Sequence, residues 1–353
     1  MNAAKTRRLS VGNVAIGGGA PITVQTMTRA PLEDLEANLA LINAAHAAGC
    51  DIARAAVPSV ASAAAFGRLA ARSPLPLVAD THFDWRIAVA AINEGAAKVR
   101  LNPGNMSPDG LSRVVDAAGG RGIPIRIGGN SGSIRHGGKN AESDVATALA
   151  EETLAWAEKM RALGFQDIVL SLKANSAAET VRAYRIAAAR TDLPLHLGVT
   201  AAGSREDALL KSAAALGSLL IDGIGDTIRL SFTGDAIGEV KAGVDLLRAL
   251  GLRRTGPEFI ACPACGRCRV DLPELLARVK ARLGGLAAPL RIAVMGCEVN
   301  GPGEARDADL GLASAGGIVH LFVKGEVIGR VANHEAVERL AAEAEKMAGA
   351  NAS

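Results

Sequence analysis

A closed (β/α)8 TIM barrel of the α/β class, followed by a small α+β domain, is what the sequence predicts on three observations. Eight short apolar runs of β character recur through the first two thirds of the chain, each followed by an alanine-rich stretch of helical character. Their spacing, about 22 to 43 residues, suits one strand and one helix each, and eight such units are what closing a parallel barrel requires. At 353 residues the chain also exceeds one ordinary domain, so a second, smaller unit is expected. A doubly wound open sheet is the alternative arrangement of the same units.

Taken in order, the opening VGNVAIGGGAP (11–21) carries a run of three glycines, but no lysine follows them and they precede the first strand. That placement excludes a phosphate loop and predicts a hairpin capping the barrel. The expected strands are 22–27, 52–58, 76–81, 98–103, 124–129, 167–172, 194–199 and 227–232. Alanine-rich helices pack closely on parallel strands, which accounts for only nine aromatic residues. After a helical stretch ending near Leu250, GLRRTGPE (251–258) reads as a linker, so the barrel is assigned to residues 1–252 and the second domain to 253–353. That domain is expected to hold a helix at 272–284, a strand at 291–296, a hairpin at 319–331 and a terminal helix capped by Asn333 and ending at Gly349.

Composition removes whole classes of function. Hydrophobic residues at 49% and charged residues at 21% are ordinary for a globular protein, which excludes disordered and fibrous classes. A net charge of +3 and few aromatics argue against nucleic acid as a partner. No apolar run approaches the roughly 18 residues needed to span a bilayer, and the N-terminus lacks a leader pattern, so a soluble cytoplasmic protein is expected.

Five cations interrupt the apolar strands or stand just beyond them: Arg54, Arg100, Arg126, Lys173 and Arg229. Burying one costs several kcal/mol unless an anion compensates it. The acids Asp51, Asp167 and Asp226 precede their strands and therefore lie toward the opposite end, leaving Asp80 as the clearest carboxylate near these cations. Any single arginine could snorkel between strand and helix; five repeating the feature point instead to a phosphate-binding mouth at the C-terminal face. The expected ligand is compact and carries two phosphates or a diphosphate. Asp80, His82, Asn102, Asn130, His196 and Ser231 join the cations at the same strand ends as candidate substrate contacts.

Cys262, Cys265 and Cys268 form C-x2-C-x2-C, and Cys297 follows in VMGCEVNGPGEA. Such spacing can serve one soft metal centre, leaving iron–sulfur, structural zinc and free thiols open. Cys50, alone before the second strand, reads as an ordinary buried cysteine. The C-x3-C-x2-C spacing of radical chemistry on S-adenosylmethionine is absent.

HFDWRIA, RLNPGN, PIRIG, PLHLGVT, DGIGDTIRLS, FIACPAC and MGCEVNGPGEA, in this order, together resemble the 4-hydroxy-3-methylbut-2-enyl diphosphate synthases of the methylerythritol phosphate pathway. The match runs from about Val11 to the final helix and is similar to the shorter, two-domain form of that family. The resemblance implies a [4Fe–4S] cluster on Cys262, Cys265, Cys297 and Glu304, with the second domain as the iron–sulfur domain. It also implies two-electron reductive ring opening of 2-C-methyl-erythritol 2,4-cyclodiphosphate with loss of a hydroxyl as water. Flavodoxin or ferredoxin would supply the electrons. Arg54, Arg100, Asn102, Arg126, Asn130, Lys173, Arg229 and Ser231 fall in the family's diphosphate region, with Asp80 and His82 beside the reacting carbons. Glu304, a harder and weaker ligand for iron than thiolate, could yield its place to a substrate oxygen. Family members are homodimers whose cluster domain closes over the partner's barrel, so a shared active site is implied.

Two positions depart from the family pattern. HLGVTAAG puts Ala201 where the family carries a glutamate, a candidate proton donor, and Glu206 and Asp207 are the neighbouring acids that could take its place. Cys268 adds a thiol that could replace Glu304 as a ligand or stay a free or packed thiol; the latter is expected. Ala201 motivates a second reading, a paralogue acting on another phosphorylated substrate. A non-catalytic cluster-binding redox protein or zinc-stapled scaffold is the third.

Overall fold

Parallel strands buried on both faces read as near-continuous apolar runs, and the eight runs are the eight strands of one sheet. The computed structural model describes residues 6–82, 84–102, 106–130, 144–200, 203–297, 306–315 and 317–350. The chain divides into two compact units, Met1–Arg253 and Arg254–Ser353.

In the first unit a hairpin of β1 (Leu9–Val11) and β2 (Val14–Ile16) precedes β3 (Thr23–Met27), β4 (Ile52–Ala56), β5 (Leu77–Asp80), β6 (Lys98–Leu101), β7 (Ile125–Asn130), β8 (Ile168–Lys173), β9 (His196–Leu197) and β10 (Thr227–Ile228). Between and after these strands lie α1 (Leu35–Ala47), α2 (Ala63–Arg72), α3 (Trp85–Asn93), α4 (Pro108–Arg121), α5 (Val145–Ala162), α6 (Ala177–Ala188), α7 (Arg205–Ile221) and α8 (Ala236–Ala249). The sheet order β8-β7-β6-β5-β4-β3-β10-β9 is parallel throughout, and a parallel bridge from Leu170 to Leu195 brings β8 back to β9. The ring is therefore nearly closed, which rules out the doubly wound alternative.

Side chains alternate along each strand. Ala53, Ala79, Val99, Leu101, Ile127, Leu170 and Ile228 face outward into the core shared with the helices. Ile52, Val78 and Val169 face inward and form an apolar floor with Leu9, Val11 and Ile16 of the hairpin. The expected cap is thus present. At this end Asp51 accepts the Val24 N–H at 2.7 Å and pairs with Arg253 at 3.0 Å, while Asp226 accepts the Leu195 N–H and the Thr6 hydroxyl, both at 2.7 Å.

The second unit contains β11 (Glu258–Ala261), α9 (Leu272–Leu283), β12 (Arg291–Met295), β13 (Leu310–Ala315), β14 (Ile318–Val323), β15 (Glu326–Ala332) and α10 (Ala336–Ala350). Its sheet runs in that strand order; β11, β12 and β13 are parallel, and β14 and β15 continue antiparallel. Leu275, Val279, Leu283, Leu340 and Ala341 of the two helices cover Ile292, Val294, Leu312 and Leu321 on one face.

The sequence reading missed two of these strands. β11 begins at the end of the supposed linker, and β13 (LGLASA) is too rich in small residues to look like a strand. Small residues are needed there: a Cβ at Gly311 would strike the Phe322 ring and the Ala293 carbonyl. The last helix starts at Ala336, so Asn333 lies in the preceding turn, and Gly349 lies inside the helix.

Candidate functional site: a cationic barrel mouth

At the C-terminal ends of the strands a cavity of about 320 Å³ is lined by Arg54, Asp80, His82, Arg100, Arg126, Gly128, Ser171, Lys173, Val199, Thr200, Arg229 and Ser231. All five of the cations singled out in the strands meet here. Register explains why: Arg100 stands opposite both Asp80 and Arg126, and Asn130 opposite Lys173, on adjacent parallel strands.

Asp80 is the only carboxylate lining this cavity among the described residues. It lies 3.5 Å from Arg100 Nη1, 3.5 Å from His82 Nε2 and 3.8 Å from Arg54 Nε. Burial alone would raise its pKa, but the hydrogen bond with His82 and the charges of Arg54, Arg100 and Arg126 hold it well below the usual carboxylate range. It is therefore an anion that orients its neighbours and accepts protons poorly. Arg100 Nη1 also lies 3.0 and 2.9 Å from the two ring nitrogens of His82.

The remaining cations have weaker partners. Arg54 donates to the Met27 thioether sulfur at 2.8 and 3.2 Å. Arg126 is 2% exposed and its Nε has no hydrogen-bond partner. Burial, then Arg54 and Arg100, depress the Arg126 pKa well below its usual value; because a guanidinium keeps its proton, this measures how poorly the mouth tolerates its own charge. Arg229 lies 3.6 Å from the buried Glu239 on α8, which also takes Arg29 at 2.8 Å and the Phe232 N–H at 2.9 Å.

Glycines make the close packing of charge feasible. A Cβ on Gly128 would fall 2.8 Å from Arg100 Nε, and one on Gly198 would fall 2.8 Å from Lys173 Nζ. Neither position can take a larger side chain without displacing a cation.

Not every expected contact belongs to the lining. His196 is fully buried inside the barrel, with Nδ1 against the Thr227 hydroxyl, and Asn102 lies beyond β6; neither lines the cavity. Register pairs His196 with Thr227, two residues before Arg229, so it sits a layer too deep. The Asn130 side chain, Ala201 and Glu304 lie outside the described residues. Glu206 and Asp207 are exposed in the first turn of α7, where Ser204 caps the helix and its hydroxyl donates to Asp207 at 2.9 Å; neither lines the cavity. Ser171 was missed although it shares the inward face of IVLSLK with Lys173, a signal that period-2 alternation carries. Glu239 and Arg29 had no local signal.

In the second unit the Gly296 N–H donates to Cys262 Sγ at 3.3 Å, and a Cβ at Gly296 would strike Cys268 Sγ. Cys268 Sγ donates to the Val270 carbonyl at 3.2 Å, Cys265 is exposed, and Cys297 is buried. Among the described residues no three His, Cys, Asp or Glu side chains gather closely enough to hold a metal ion. The donor chemistry nonetheless fits a soft centre: thiols surround a residue without a side chain, and a backbone N–H points at a sulfur. Cys50 is a packed thiol, as expected, donating to the Ile52 carbonyl at 3.2 Å, and burial pushes its pKa up to about 12.

Family models of the GcpE TIM-barrel domain and the GcpE protein C-terminal domain match residues 6–244 and 258–346. The chain belongs to the GcpE family. Among GcpE relatives, proteins named 4-hydroxy-3-methylbut-2-en-1-yl diphosphate synthase (flavodoxin) from Geobacter sulfurreducens and Aquifex aeolicus are 45% and 44% identical, covering 98% and 97% of both chains. One from Salinispora tropica is 48% identical over 97% of this chain and 89% of its own. The family resemblance drawn from the motifs is borne out. A solved dihydropteroate synthase from Stenotrophomonas maltophilia matches with a TM-score of 0.52 and 18% identity, over 70% of this chain and 97% of its own; that likeness is one of barrel fold alone. No helix among the described residues of this GcpE chain is long and apolar enough to cross a membrane.

Proposed function

We propose that this GcpE chain catalyses the two-electron reductive ring opening of 2-C-methyl-erythritol 2,4-cyclodiphosphate to 4-hydroxy-3-methylbut-2-enyl diphosphate, with reduced flavodoxin or ferredoxin as electron donor. It is an oxidoreductase of the EC 1.17.7 class. The observation that carries the reading is the mouth itself: among the described residues, five cations against one lining carboxylate, in a family with members named as synthases of this diphosphate.

Arg54, Arg100, Arg126, Lys173 and Arg229 hold the phosphate oxygens, with bidentate guanidinium geometry fixing the ring's orientation. Ser231 and Ser171 donate to the same oxygens. Asp80, ionised and clamped between Arg54 and Arg100, orients His82, whose side chain is 44% exposed to the cavity. His82 then delivers the proton that leaves with the hydroxyl as water, a role for which Asp80 is unsuited. Asn102 and Asn130 belong to the substrate region by motif, and His196 supports the floor beneath it.

Cys262, Cys265, Cys297 and Glu304 are the residues assigned to a [4Fe–4S] cluster, with Cys268 a packed thiol beside them. When bound, the cluster supplies low-potential electrons, which no side chain carries. A cytoplasmic homodimer with a shared active site belongs to the same reading. Mixing a barrel-defective and a cluster-defective variant should then restore activity, and a silent mixture counts against a shared site.

The decisive test is anaerobic turnover of the cyclodiphosphate by cluster-reconstituted protein with a chemical reductant, following the linear allylic product. Product formation supports the reading. A reducible cluster without product counts against it unless Ala201→Glu restores turnover.

A further inference from the structure

Below the mouth the barrel interior carries charge that substrate contacts do not use. Strand β6 turns Val99 and Leu101 outward and, by alternation, Lys98 and Arg100 inward. Register sets Lys98 opposite Val78, one inward step below the Asp80–Arg100 pair. Lys98 is fully buried, and its Nζ has no hydrogen-bond partner. It does not line the cavity.

Arg126 and Arg54 act on it directly, and the charged groups of the same barrel interior are mostly cations. Arg54 comes from β4, Arg100 from β6, Arg126 from β7, Lys173 from β8 and Arg229 from the end of β10. Two buried carboxylates answer them: Asp80 on β5, and Glu239 on α8, which is shared with Arg29. His196 on β9 is held neutral by burial and by Arg126, Lys173 and Lys98, and Tyr184 on α6 keeps its proton. The hairpin beneath contributes only apolar side chains to this interior.

A buried interior with this excess can shed charge only where a proton can leave. Arginine does not release its proton; lysine does. Burial, then Arg126 and Arg54, pull Lys98 down to about 7, and burial with Arg126, Arg229, Arg54 and Arg100 lowers Lys173 well below its usual range. A dianion seated in the mouth supplies the missing counter-charge and reverses the balance.

We propose that Lys98 and Lys173 form a proton sink coupled to the anion site, so that a diphosphate entering the mouth draws a proton from solvent onto these buried amines. No bond to the ligand forms or breaks; an amine becomes an ammonium and the buffer loses the proton. Affinity therefore depends on pH even when the ligand does not titrate. It is greatest below the free amine's pKa and falls as pH rises above it, by up to tenfold per unit for each proton taken up. The proposal rests on the substrate reading above for its natural ligand but not for its physics.

The test is calorimetric titration of the full-length, cluster-loaded protein without reductant, so that nothing turns over. The cyclodiphosphate is the first probe, because each of its phosphoryl groups, held by one ester and the shared anhydride bond, stays singly charged across the neutral range; inorganic sulfate, another dianion that does not titrate there, is the second. At pH 8, in buffers of different ionisation enthalpy, about one proton should be taken up per site. Kd should rise by about 20- to 50-fold from pH 7 to 9, and Lys98→Met should reduce the uptake and flatten that profile. Cyclodiphosphate binding with buffer-independent enthalpy and flat Kd in the unmodified protein overturns the proton sink and leaves the substrate reading standing, whether or not any variant folds. Uptake unchanged in both Lys98→Met and Lys173→Met also overturns it. Sulfate binding with uptake alongside no cyclodiphosphate binding keeps the sink and overturns the substrate reading; binding by neither probe overturns both.

Discussion

At the N-terminal end of the barrel, Ile52, Val78 and Val169 pack beneath the hairpin residues Leu9, Val11 and Ile16. Two residues further along the same three strands stand Arg54, Asp80 and Ser171, lining the mouth. One inward step thus separates a layer that is apolar on these three strands, though it also holds Lys98 and Gln25, from a cavity crowded with charge. Acids at the floor, such as Asp51, are answered by backbone N–H groups and an arginine, whereas cations at the mouth outnumber their partners. On these three strands the floor side chains pack against the hairpin, whereas the five cations of the mouth share one lining carboxylate among the described residues.

Truncation at the floor should give the largest change. Ile52→Ala should destabilise the protein by about 2–4 kcal/mol, read from urea unfolding, with affinity for the cyclodiphosphate within about twofold of the parent. A comparable loss of affinity would break the division between the two ends. At the mouth the signs reverse: Arg126→Met should weaken binding by roughly 100-fold, about 2.7 kcal/mol. Stability should be unchanged or higher, because a buried cation crowded by Arg54 and Arg100, with no partner at its Nε, is gone; calorimetry and thermal melting read the two effects on one sample.

Acid titration of stability sharpens the contrast further. Because the folded-state pKa of Asp80 is depressed, its contribution is fully present above the unfolded value of about 3.9 and is lost as pH falls through the folded value. Asp80→Asn should therefore flatten the acid limb of a stability-versus-pH curve, and an unaltered limb would deny Asp80 its ion pairs. The smallest effect belongs to the exposed rim of the floor, where Arg7 meets Asp192 at 3.2 Å. Arg7→Ala should cost no more than about 1 kcal/mol and leave ligand binding untouched.

Much of this was legible from local pattern. All eight strands and the capping hairpin follow from apolar runs and turn residues, and the five cations from their intrusion into those runs. Lys98 is equally visible in KVRLNP, two residues before Arg100, but its depth below the mouth follows only from register. β13 was not legible, since its small residues are dictated by the Phe322 ring across the sheet.

Sequence by itself determined the order of βα units, the family, the thiol spacing and which strand residues face inward, because each depends on neighbours within a few positions or on motifs read in order. Tertiary structure alone decided depth and partnership. Ring closure sets how far each strand is staggered against the next, so His196 drops below the mouth while Ser231 stays in it. It also brings Glu239 of α8 to Arg29 and Arg229, and Asp80 to Arg54 and Arg100, over separations that no local periodicity spans.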